Sequence, residues 1–598
     1  MQNLHPTRRD LPGHASAAPD RHALLRALGH WREAAVASVG LGLSPESLLL
    51  AGTDWAIHLA GAPDKRVQLL EQLARMPLAL LEGMLHHTAP TQTVAELTPP
   101  IPGTPSDRRF AAPAWQQEPF RSWAQAFLLS QHWWQHATRH IPGTEPHHED
   151  VVAFMARQYL DWVAPSNQPW SNPEVLEHTL RQGGLNLLHG ATHAAEDLAR
   201  RLAGLPPVGA ETFVVGRDLA CTPGKVVMRN TLVELIQYQH GTASVYAEPV
   251  LLVPAWIMKY YILDLTPDSS LVRWLVARGH TVFCLSWRNV TEQQRNFGMD
   301  DYRRLGVMAA MDAIGTIVPG RKLHAMGYCL GGTLLAMAAA AMVRCADQRL
   351  ASLTLLAAQT DFTEPGELQL FIDASQVRML DSMMALRGYL TAEQMSMAFQ
   401  MLRSTDLIWS RMVHEYMLGE RQPMNALKAW NADSTRMPER MHSEYLHRLF
   451  LHNDLAAGRY LVHGHPAALQ NLRLPIFAVG AEGDHVAPWR SVYKVHYLAD
   501  TEVCFVLASG GHNAGIVSPP AATGPAGRHF RQHTKALEDT CLSADEWLAV
   551  APVQPGSWWP QWQHWLRQHS TRKRVAPPPL GAAPYTALMD APGRYVME

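Results

Sequence analysis

The residue whose surroundings most clearly predict chemistry is Cys329. It lies in the run Gly327-Tyr328-Cys329-Leu330-Gly331-Gly332, between a strand-like segment at 323–326 and a helical segment from Thr333. Gly-x-Cys-x-Gly at a strand-to-helix junction is the nucleophile-elbow pattern with Cys in place of Ser. The glycines permit a sharp turn, and the N-terminus of the following helix favours a thiolate. We therefore predict a covalent nucleophile for acyl transfer, with the backbone N–H of Leu330 as one oxyanion donor. The alternative is a buried structural cysteine in a tight turn.

A base and an acid follow Cys329 in the chain order that this elbow requires. The strand-like segment 476–479 runs into a glycine-bearing loop that contains Asp484, and the next such segment, 503–507, runs into Ser509-Gly510-Gly511-His512. In folds that carry a nucleophile elbow, the loops that follow the later strands meet above the nucleophile. Cys329, His512 and Asp484 are therefore the predicted catalytic residues. Asp484 could instead cap its own loop, and Glu482 or His485 could take its role.

Two groups of histidines raise the alternative of a metal site. His132, His136 and His140 share one predicted helical face, and His147-His148-Glu149-Asp150 form a polar cluster. Both groups precede the strand-rich region, and they are interpreted more simply as a solvated helix face and a loop. We predict that no metal is bound. The sequence also has no phosphate-loop lysine motif and no dinucleotide fingerprint.

The elements that must position the three catalytic candidates begin near residue 214. Short aliphatic segments typical of strands alternate with helical ones, and we predict strands at 226–228, 250–253, 281–285, 323–326, 353–356, 476–479 and 503–507. Helices are predicted at 270–278 and 301–314. This alternation indicates an α/β fold with a mostly parallel sheet. The Met-rich segment 361–464 is predicted to be helical and interrupts the alternation, as a cap over an active site would.

The chain upstream of the sheet is predicted to be helical. Residues 1–95 are interpreted as a polar, mobile start followed by short helices, for example at 20–25 and 65–70. Pro99-Pro100-Ile101-Pro102-Gly103 resembles a linker, and 115–205 form a Trp-rich helical region. The predicted domains are therefore an extension over 1–95, a helical domain over 96–213, and a catalytic domain over 214–598 with a cap at about 361–464.

Composition limits the class of protein. The 598 residues are 47% hydrophobic, which excludes global disorder, and a net charge of −2 gives no electrostatic attraction to nucleic acid or anionic lipid. Six scattered cysteines are typical of reduced thiols in a cytosol. The polar start carries no secretory signal, and no apolar stretch is long enough to span a membrane. We expect a cytoplasmic protein.

These motifs together resemble the polyhydroxyalkanoate synthase family, and most closely its single-subunit class I type. Beside the elbow, the match includes Val253-Pro254-Ala255-Trp256-Ile257-Met258-Lys259-Tyr260-Tyr261, Trp430-Asn431-Ala432-Asp433 and Gly556-Ser557-Trp558-Trp559-Pro560. The stretch from Asp107-Arg108-Arg109-Phe110 to about residue 238 is similar to the family's N-terminal domain. The likeness covers roughly residues 100–598.

The resemblance implies an α/β-hydrolase fold with a helical cap insertion. It also implies a polymerase that joins (R)-3-hydroxyacyl units from CoA thioesters into a polyester, with release of CoA and with no cofactor. By analogy Cys329 accepts the acyl group, His512 takes its proton, and Asp484 orients His512 or helps to activate the attacking 3-hydroxyl. We place the second oxyanion N–H at Ile257, in a loop where this chain has Ala255 and Met258 instead of the family's frequent Pro and Asn. We expect the substrate to contact three further residues, His485, Tyr445 and Asn453.

The resemblance further implies a homodimer at the surface of cytoplasmic polymer granules, with phasin-type granule proteins as candidate partners and no nucleic acid. Two rival functions stay open. One is a cysteine hydrolase of thioesters or polyesters, which would use the same three residues. The other is a non-catalytic granule-associated protein that has kept the fold.

Overall fold

A computed structural model describes residues 43–85, 107–520 and 527–598. Its first part is helical, and most helices there begin at a proline, whose fixed φ suits the first helical position. The helices are α1 Pro45–Gly61, α2 Pro63–Leu85, α3 Phe120–Ala137, α4 Pro146–Val163, α5 Pro173–Gln182 and α6 Leu185–Leu202. The helices predicted at 65–70 and across 115–205 are confirmed. The mobile start, the helix at 20–25 and the linker at 99–103 lie outside the described residues.

The interpretation of 147–150 as a loop was wrong, because these residues form the first turn of α4. Glu145 caps this helix by accepting the N–H of His148 at 3.2 Å, and Pro146 is its first residue. A carboxylate followed by proline is a recognisable helix start, and this signal was outweighed by the polar character of the cluster.

The N-terminal helices pack on one another through partly buried tryptophan indoles. The Nε1–H of Trp55 donates to the carbonyl of Ala137 at 2.8 Å, and that of Trp133 donates to Leu69 at 3.0 Å. Helices α1 and α2 therefore pack directly against α3. A separate apolar cluster joins residues upstream of α3 to α3 and α4, and its members include Phe110, Trp115, Phe127 and Leu160.

One large sheet organises the rest of the described chain. Its strands are β1 Gly224–Arg229, β2 Val233–Tyr238, β3 Val250–Val253, β4 Val282–Trp287, β5 Leu323–Tyr328, β6 Leu350–Leu356, β7 Ile476–Ala481, β8 Val503–Ala508, β9 His529–Lys535, β10 Val553–Pro555 and β11 Met589–Asp590. They lie in the order β10-β9-β8-β7-β6-β5-β3-β4-β2-β1-β11. The central strands from β4 to β8 are parallel, and the strands at both flanks pair antiparallel.

All seven predicted strands are present, but the sheet is more mixed than predicted. The sequence analysis missed four strands: β2, in which Glu234 and Gln237 interrupt apolar residues, the polar β9, and the short β10 and β11. Of these, β2 and β9 pair antiparallel to β4 and β8. The helices outside the cap are α7 Leu271–Val276, α8 Met299–Asp301, α9 Ala309–Ile317, α10 Leu330–Arg344, α15 Trp489–Tyr493, α16 Val495–Leu498, α17 Ala544–Val550 and α18 Trp559–Gln568. The prediction of one helix over 301–314 is corrected, since a π-helix at Tyr302–Met308 separates α8 from α9.

The cap segment, residues 361–464, lies in the chain between β6 and β7. It contains α11 Ala374–Arg387, α12 Ala392–Leu402, α13 Ala426–Ala432, α14 Glu439–Glu444 and three π-helices at Thr405–Trp409, Met412–Met417 and Tyr445–Leu451. The helical character predicted for this segment is confirmed. Small antiparallel ribbons pair Tyr389–Leu390 with Met437–Pro438 and Leu461–Val462 with His465–Pro466.

The sheet separates two apolar cores. One core contains helix α10 and much of the cap, and the other contains the tryptophan face of α18, including Trp559 and Trp562. Cys329 packs against both cores. The nucleophile candidate therefore lies at the carboxyl edge of β5, where the two cores meet.

Candidate active site

The backbone at Cys329 has the strained geometry of a nucleophile elbow. Its φ of 52° and ψ of −126° lie in a region that residues other than glycine rarely adopt. The N–H of Cys329 donates to Leu356 on the neighbouring strand at 2.8 Å, and its carbonyl accepts the N–H of Gly332 at 2.8 Å. The strand on one side and the first turn of α10 on the other therefore hold this conformation. Such strain is typical of functional sites.

The glycines of the elbow are required by close approach of neighbouring backbone. A Cβ at Gly331 would lie 2.1 Å from the carbonyl oxygen of Val253, and one at Gly327 would lie 2.3 Å from the Cα of Gly332. A Cβ at Gly332 would meet the side chain of Ala358 at 2.4 Å. The first turn of α10 is thus pressed against the end of β3, and the loop that follows β3 lies beside the nucleophile.

His512 and Asp484 meet at the same edge of the sheet. The Nδ1 atom of His512 is 2.7 Å from Oδ2 of Asp484, whose side chain is 0% exposed. The other oxygen, Oδ1, accepts the N–H groups of Val486 and Ala487 at 2.8 Å each. Asp484 therefore orients the histidine and caps its own loop at once, so the two interpretations of this residue are compatible.

The competing acid, Glu482, is directed elsewhere. Its carboxylate lies 3.2 Å from Nε2 of His529 on β9, and this pair is partly exposed. The geometry leaves Asp484 as the carboxylate that contacts His512.

The electrostatics of His512 favour its charged form. Burial disfavours the imidazolium, but Asp484 and Cys329 outweigh burial and raise the pKa of His512 to about 10. A histidine that holds a proton next to a cysteine can stabilise a thiolate and can later donate that proton to a leaving group.

Tyr328 and Asn513, which the sequence analysis did not select, hold the histidine loop against β5. The hydroxyl of Tyr328 donates to Oδ1 of Asn513 at 2.5 Å, and its ring packs 5.6 Å from the imidazole of His512. Each residue neighbours a predicted catalytic residue in sequence. In the sequence, only their positions next to Cys329 and His512 could have suggested these two residues. That adjacency becomes informative only once the fold shows that the two loops lie together.

The two predicted oxyanion donors are the backbone N–H groups of Leu330 and Ile257. Leu330 is the first residue of α10, where an N–H has no partner within its helix. Ile257 lies in the loop after β3, and among the residues that the structure describes its N–H finds no acceptor. The assignment of Leu330 and Ile257 as the two donors stays a prediction.

The three predicted substrate contacts have different environments. Tyr445 is buried in the cap, and burial, with a smaller effect from nearby Cys329, raises the pKa of its hydroxyl well above the usual range. His485 follows Asp484 directly, and within the described ranges its buried Nδ1 has no hydrogen-bond partner. The side chain of Asn453 is engaged with the chain itself, because its Oδ1 accepts the N–H of Phe362 at 2.9 Å and its Nδ2 donates to Asp361 at 3.2 Å. Their roles toward substrate stay predictions.

The histidine groups that suggested a metal alternative have other contacts. The rings of His132 and His136 pack 4.3 Å apart on α3, while His148 contacts Asp54 at 2.8 Å. In the part of the chain that the structure describes, no cluster of three or more His, Cys, Asp or Glu side chains could hold a metal ion. Over the same residues, none of the helices combines the length and apolar character needed to cross a membrane.

The chain matches three known protein families. Residues 106–275 match the family described as "Poly-beta-hydroxybutyrate polymerase (PhaC) N-terminus", and residues 248–519 match the "alpha/beta hydrolase fold". Residues 24–65 match "Poly-beta-hydroxybutyrate polymerase N terminal". This last match extends the likeness into the first hundred residues, beyond the range predicted from the motifs.

Three curated relatives are similar over most of their length. The chain is 38% identical over 539 residues to the poly(3-hydroxyalkanoate) polymerase of Methylorubrum extorquens, covering 89% of this chain and 87% of the relative. It is 35% identical to the poly(3-hydroxyalkanoate) polymerase subunit of Rhizobium meliloti, with 82% and 79% covered. It is 34% identical to that of Cupriavidus necator, with 84% and 85% covered. The chain therefore belongs to the poly(3-hydroxyalkanoate) polymerase family of acyltransferases, which it builds on an α/β-hydrolase fold.

Proposed function

We propose that this enzyme polymerises (R)-3-hydroxyacyl-CoA thioesters into polyhydroxyalkanoate through a covalent acyl-enzyme at Cys329. The sulfur of Cys329 attacks the thioester carbonyl, and the oxyanion that forms accepts hydrogen bonds from the N–H groups of Leu330 and Ile257. The C–S bond to CoA breaks, and the CoA sulfur leaves with the proton that His512 holds. Because one thioester replaces another, the acyl group stays reactive, and the step needs no cofactor.

The observation that carries this proposal is the convergence of Cys329, His512 and Asp484 at one sheet edge in a family named for polymerisation. The 2.7 Å contact between His512 and Asp484 and the strained elbow at Cys329 support their catalytic roles. The raised pKa of His512 supports the storage of a proton for CoA departure.

We assign activation of the attacking 3-hydroxyl to His512 and not to Asp484. Both oxygens of Asp484 already accept hydrogen bonds, and its side chain has no exposed surface. After CoA has left with the first proton, neutral His512 can take the proton of the hydroxyl as that oxygen attacks the acyl-enzyme carbonyl. The new ester bond forms, the bond to the Cys329 sulfur breaks, and the cycle can repeat.

The test is incubation of the purified enzyme with (R)-3-hydroxybutyryl-CoA, with CoA release and insoluble polymer measured in parallel. We expect both products, and we expect Cys329→Ala to abolish both while leaving the thermal unfolding midpoint within a few degrees of the parent value. Cys345→Ala is the matched control, because Cys345 is exposed at the far end of α10 and should keep full activity.

Other outcomes would point to the rival functions. CoA release with free hydroxy acid and without polymer would indicate a thioesterase or polyester hydrolase. CoA release that survives Cys329→Ala would reject the acyl-enzyme, and no turnover on short- or medium-chain hydroxyacyl-CoA would favour the non-catalytic alternative. We also propose a homodimer at the granule surface, where phasin-type proteins would be neighbours, and analytical ultracentrifugation with granule co-sedimentation tests this arrangement.

A further inference from the structure

The loop between β3 and the turn at Tyr260–Leu263 is held by hydrogen bonds to its carbonyl oxygens. At its start, the indole Nε1–H of Trp287 on β4 donates to the carbonyl of Pro254 at 2.8 Å. At its end, the indole of Trp430 in the cap donates to the carbonyl of Lys259 at 2.8 Å. The two ends of this oxyanion loop, residues 254–259, are therefore fixed by different parts of the molecule.

The middle of the oxyanion loop is held by the cap residue Thr435. Its hydroxyl donates to the carbonyl of Trp256, and its backbone N–H donates to the carbonyl of Ile257 at 3.2 Å. Beside these bonds, Met258 and Ser434 form an isolated antiparallel bridge. Thr435 is buried, so water does not compete for these contacts.

The bond from the Thr435 hydroxyl determines the direction of one particular N–H. The carbonyl of Trp256 and the N–H of Ile257 belong to the same peptide group, which is planar and trans, so that the two point in opposite directions. A hydroxyl bound to the carbonyl side turns the N–H of Ile257 away from Thr435. That N–H finds no acceptor in the described ranges, as expected of a group reserved for a ligand.

We infer that Thr435 is a positioning residue for the oxyanion hole, acting through the peptide group that joins Trp256 to Ile257. This inference rests on the proposed acyl-enzyme chemistry at Cys329. The oxyanion hole then depends on two regions of the chain, because the oxyanion loop supplies the N–H of Ile257 and the cap supplies the Thr435 hydroxyl that orients it. A cap displaced from this loop would leave Cys329 with only the Leu330 donor.

The test compares Thr435→Val, which removes the hydroxyl but keeps the shape and the backbone N–H, with Thr435→Ser, which keeps the hydroxyl. Loss of one oxyanion donor typically lowers kcat by about 100-fold to 1000-fold, and a misaimed donor should lower it by about 10-fold to 100-fold. We expect that loss for Thr435→Val with 3-hydroxybutyryl-CoA, little change in KM, and rescue by Thr435→Ser.

A second readout separates this role from general damage to the site. Alkylation of Cys329 by iodoacetamide is a displacement at carbon that forms no oxyanion, so its rate should be unchanged in Thr435→Val. The matched control is Thr316→Val on α9, which also removes a hydroxyl that donates to a carbonyl, that of Asp312 at 3.0 Å, at an exposed position. It should leave both rates unchanged.

Several results would overturn the inference. Equal loss of acyl transfer and of alkylation would show a collapsed site, unchanged acyl transfer would show that the hydroxyl is not needed, and failure of Thr435→Ser to rescue would assign the effect to packing. If Cys329→Ala were active, the proposed function itself would fail. If Cys329→Ala were inactive while Thr435→Val matched the parent enzyme, only this inference would fail.

Discussion

At the scale of single residues, the charge on His512 depends on its two neighbours, Asp484 and Cys329. Burial alone would lower the pKa of this imidazole, yet Asp484 and Cys329 raise it to about 10. Of the two, Asp484 acts more strongly. The thiolate that we propose at Cys329 therefore depends on a carboxylate that contacts the imidazole and not the sulfur.

Replacement of Asp484 by Asn should make Cys329 less reactive at neutral pH. Loss of the carboxylate charge lowers the pKa of His512, so the imidazolium that stabilises the thiolate disappears at lower pH. We expect the rate of Cys329 alkylation by iodoacetamide at pH 7 to fall about 10-fold, and its rise with pH to shift upward. Stopped-flow alkylation across pH 5 to 10 measures both effects.

The matched control for this charge change is Asp545→Asn. Asp545 pairs with Arg490 at 2.6 Å on the surface, and its side chain is 78% exposed. We expect the parent pH profile from this variant. An unchanged profile in Asp484→Asn would contradict the proposed dependence of the thiolate on the carboxylate.

At the scale of elements, the first turn of α10 tolerates no side chain where it touches the end of β3. Gly331→Ala would place a Cβ 2.1 Å from the carbonyl oxygen of Val253, a contact that requires the strand or the helix to move. We expect a loss of several kcal/mol in the free energy of unfolding and no detectable CoA release. Urea denaturation followed by circular dichroism measures the first, and the CoA assay measures the second.

Gly315→Ala provides the opposite case in a neighbouring helix. Gly315 is exposed on α9, and a Cβ there would meet nothing within 4 Å. Because alanine has the higher helix propensity, this variant should gain about 0.5 to 1 kcal/mol and keep full activity. Equal changes in the free energy of unfolding for Gly331→Ala and Gly315→Ala would contradict the explanation by close contact.

The elements that could be predicted from sequence are those whose pattern lies within a few consecutive residues. The parallel strands around Cys329 are short aliphatic segments, and the order of nucleophile, acid and histidine follows from the fold. Strand β2 was missed because Glu234 and Gln237 lie within it, and both are buried. Glu234 accepts the N–H groups of Arg594 and Tyr595, and Gln237 accepts that of Gly581, partners more than 340 residues away. Thr435 was missed for the same reason, since its partner Trp256 lies 179 residues away.

At the scale of the whole molecule, the N-terminal helices hold the cap through a buried carboxylate. Asp161 on α4 accepts Nη1 of Arg109 at 2.8 Å and the hydroxyls of Ser404 and Thr405 at 3.0 and 3.1 Å. Further along the chain, Nδ2 of Asn186 on α6 donates to the carbonyl of Met417 at 2.8 Å. The cap is therefore held from outside by the N-terminal helices, while its inner side contacts the oxyanion loop.

Asp161→Ala should lower the free energy of unfolding more than the loss of an exposed ion pair would. Removing one partner of a buried pair typically costs about 3 to 5 kcal/mol, and Arg109 would keep its ion pair with Asp107 but lose the one with Asp161. We expect a loss of that size in urea denaturation, and faster limited proteolysis in the cap near residue 405. The control is Glu177→Ala, whose pair with Arg181 is exposed and should contribute less than about 1 kcal/mol. Equal stability of the two variants would contradict a structural role for Asp161.

The enclosed carboxylate of Asp484 also has a consequence for the size of the product. Both of its oxygens are occupied, so in the mechanism proposed above His512 would serve every oxygen nucleophile that reaches the acyl-enzyme, whether it is the hydroxyl of a hydroxyacyl group or a water molecule. Each cycle is then a competition between extension and termination, and the mean molecular mass of the polyester reports the ratio of the two rates. Residues that hold the cap in place, and so limit the access of water, should thus govern the length of the polyester without contacting it.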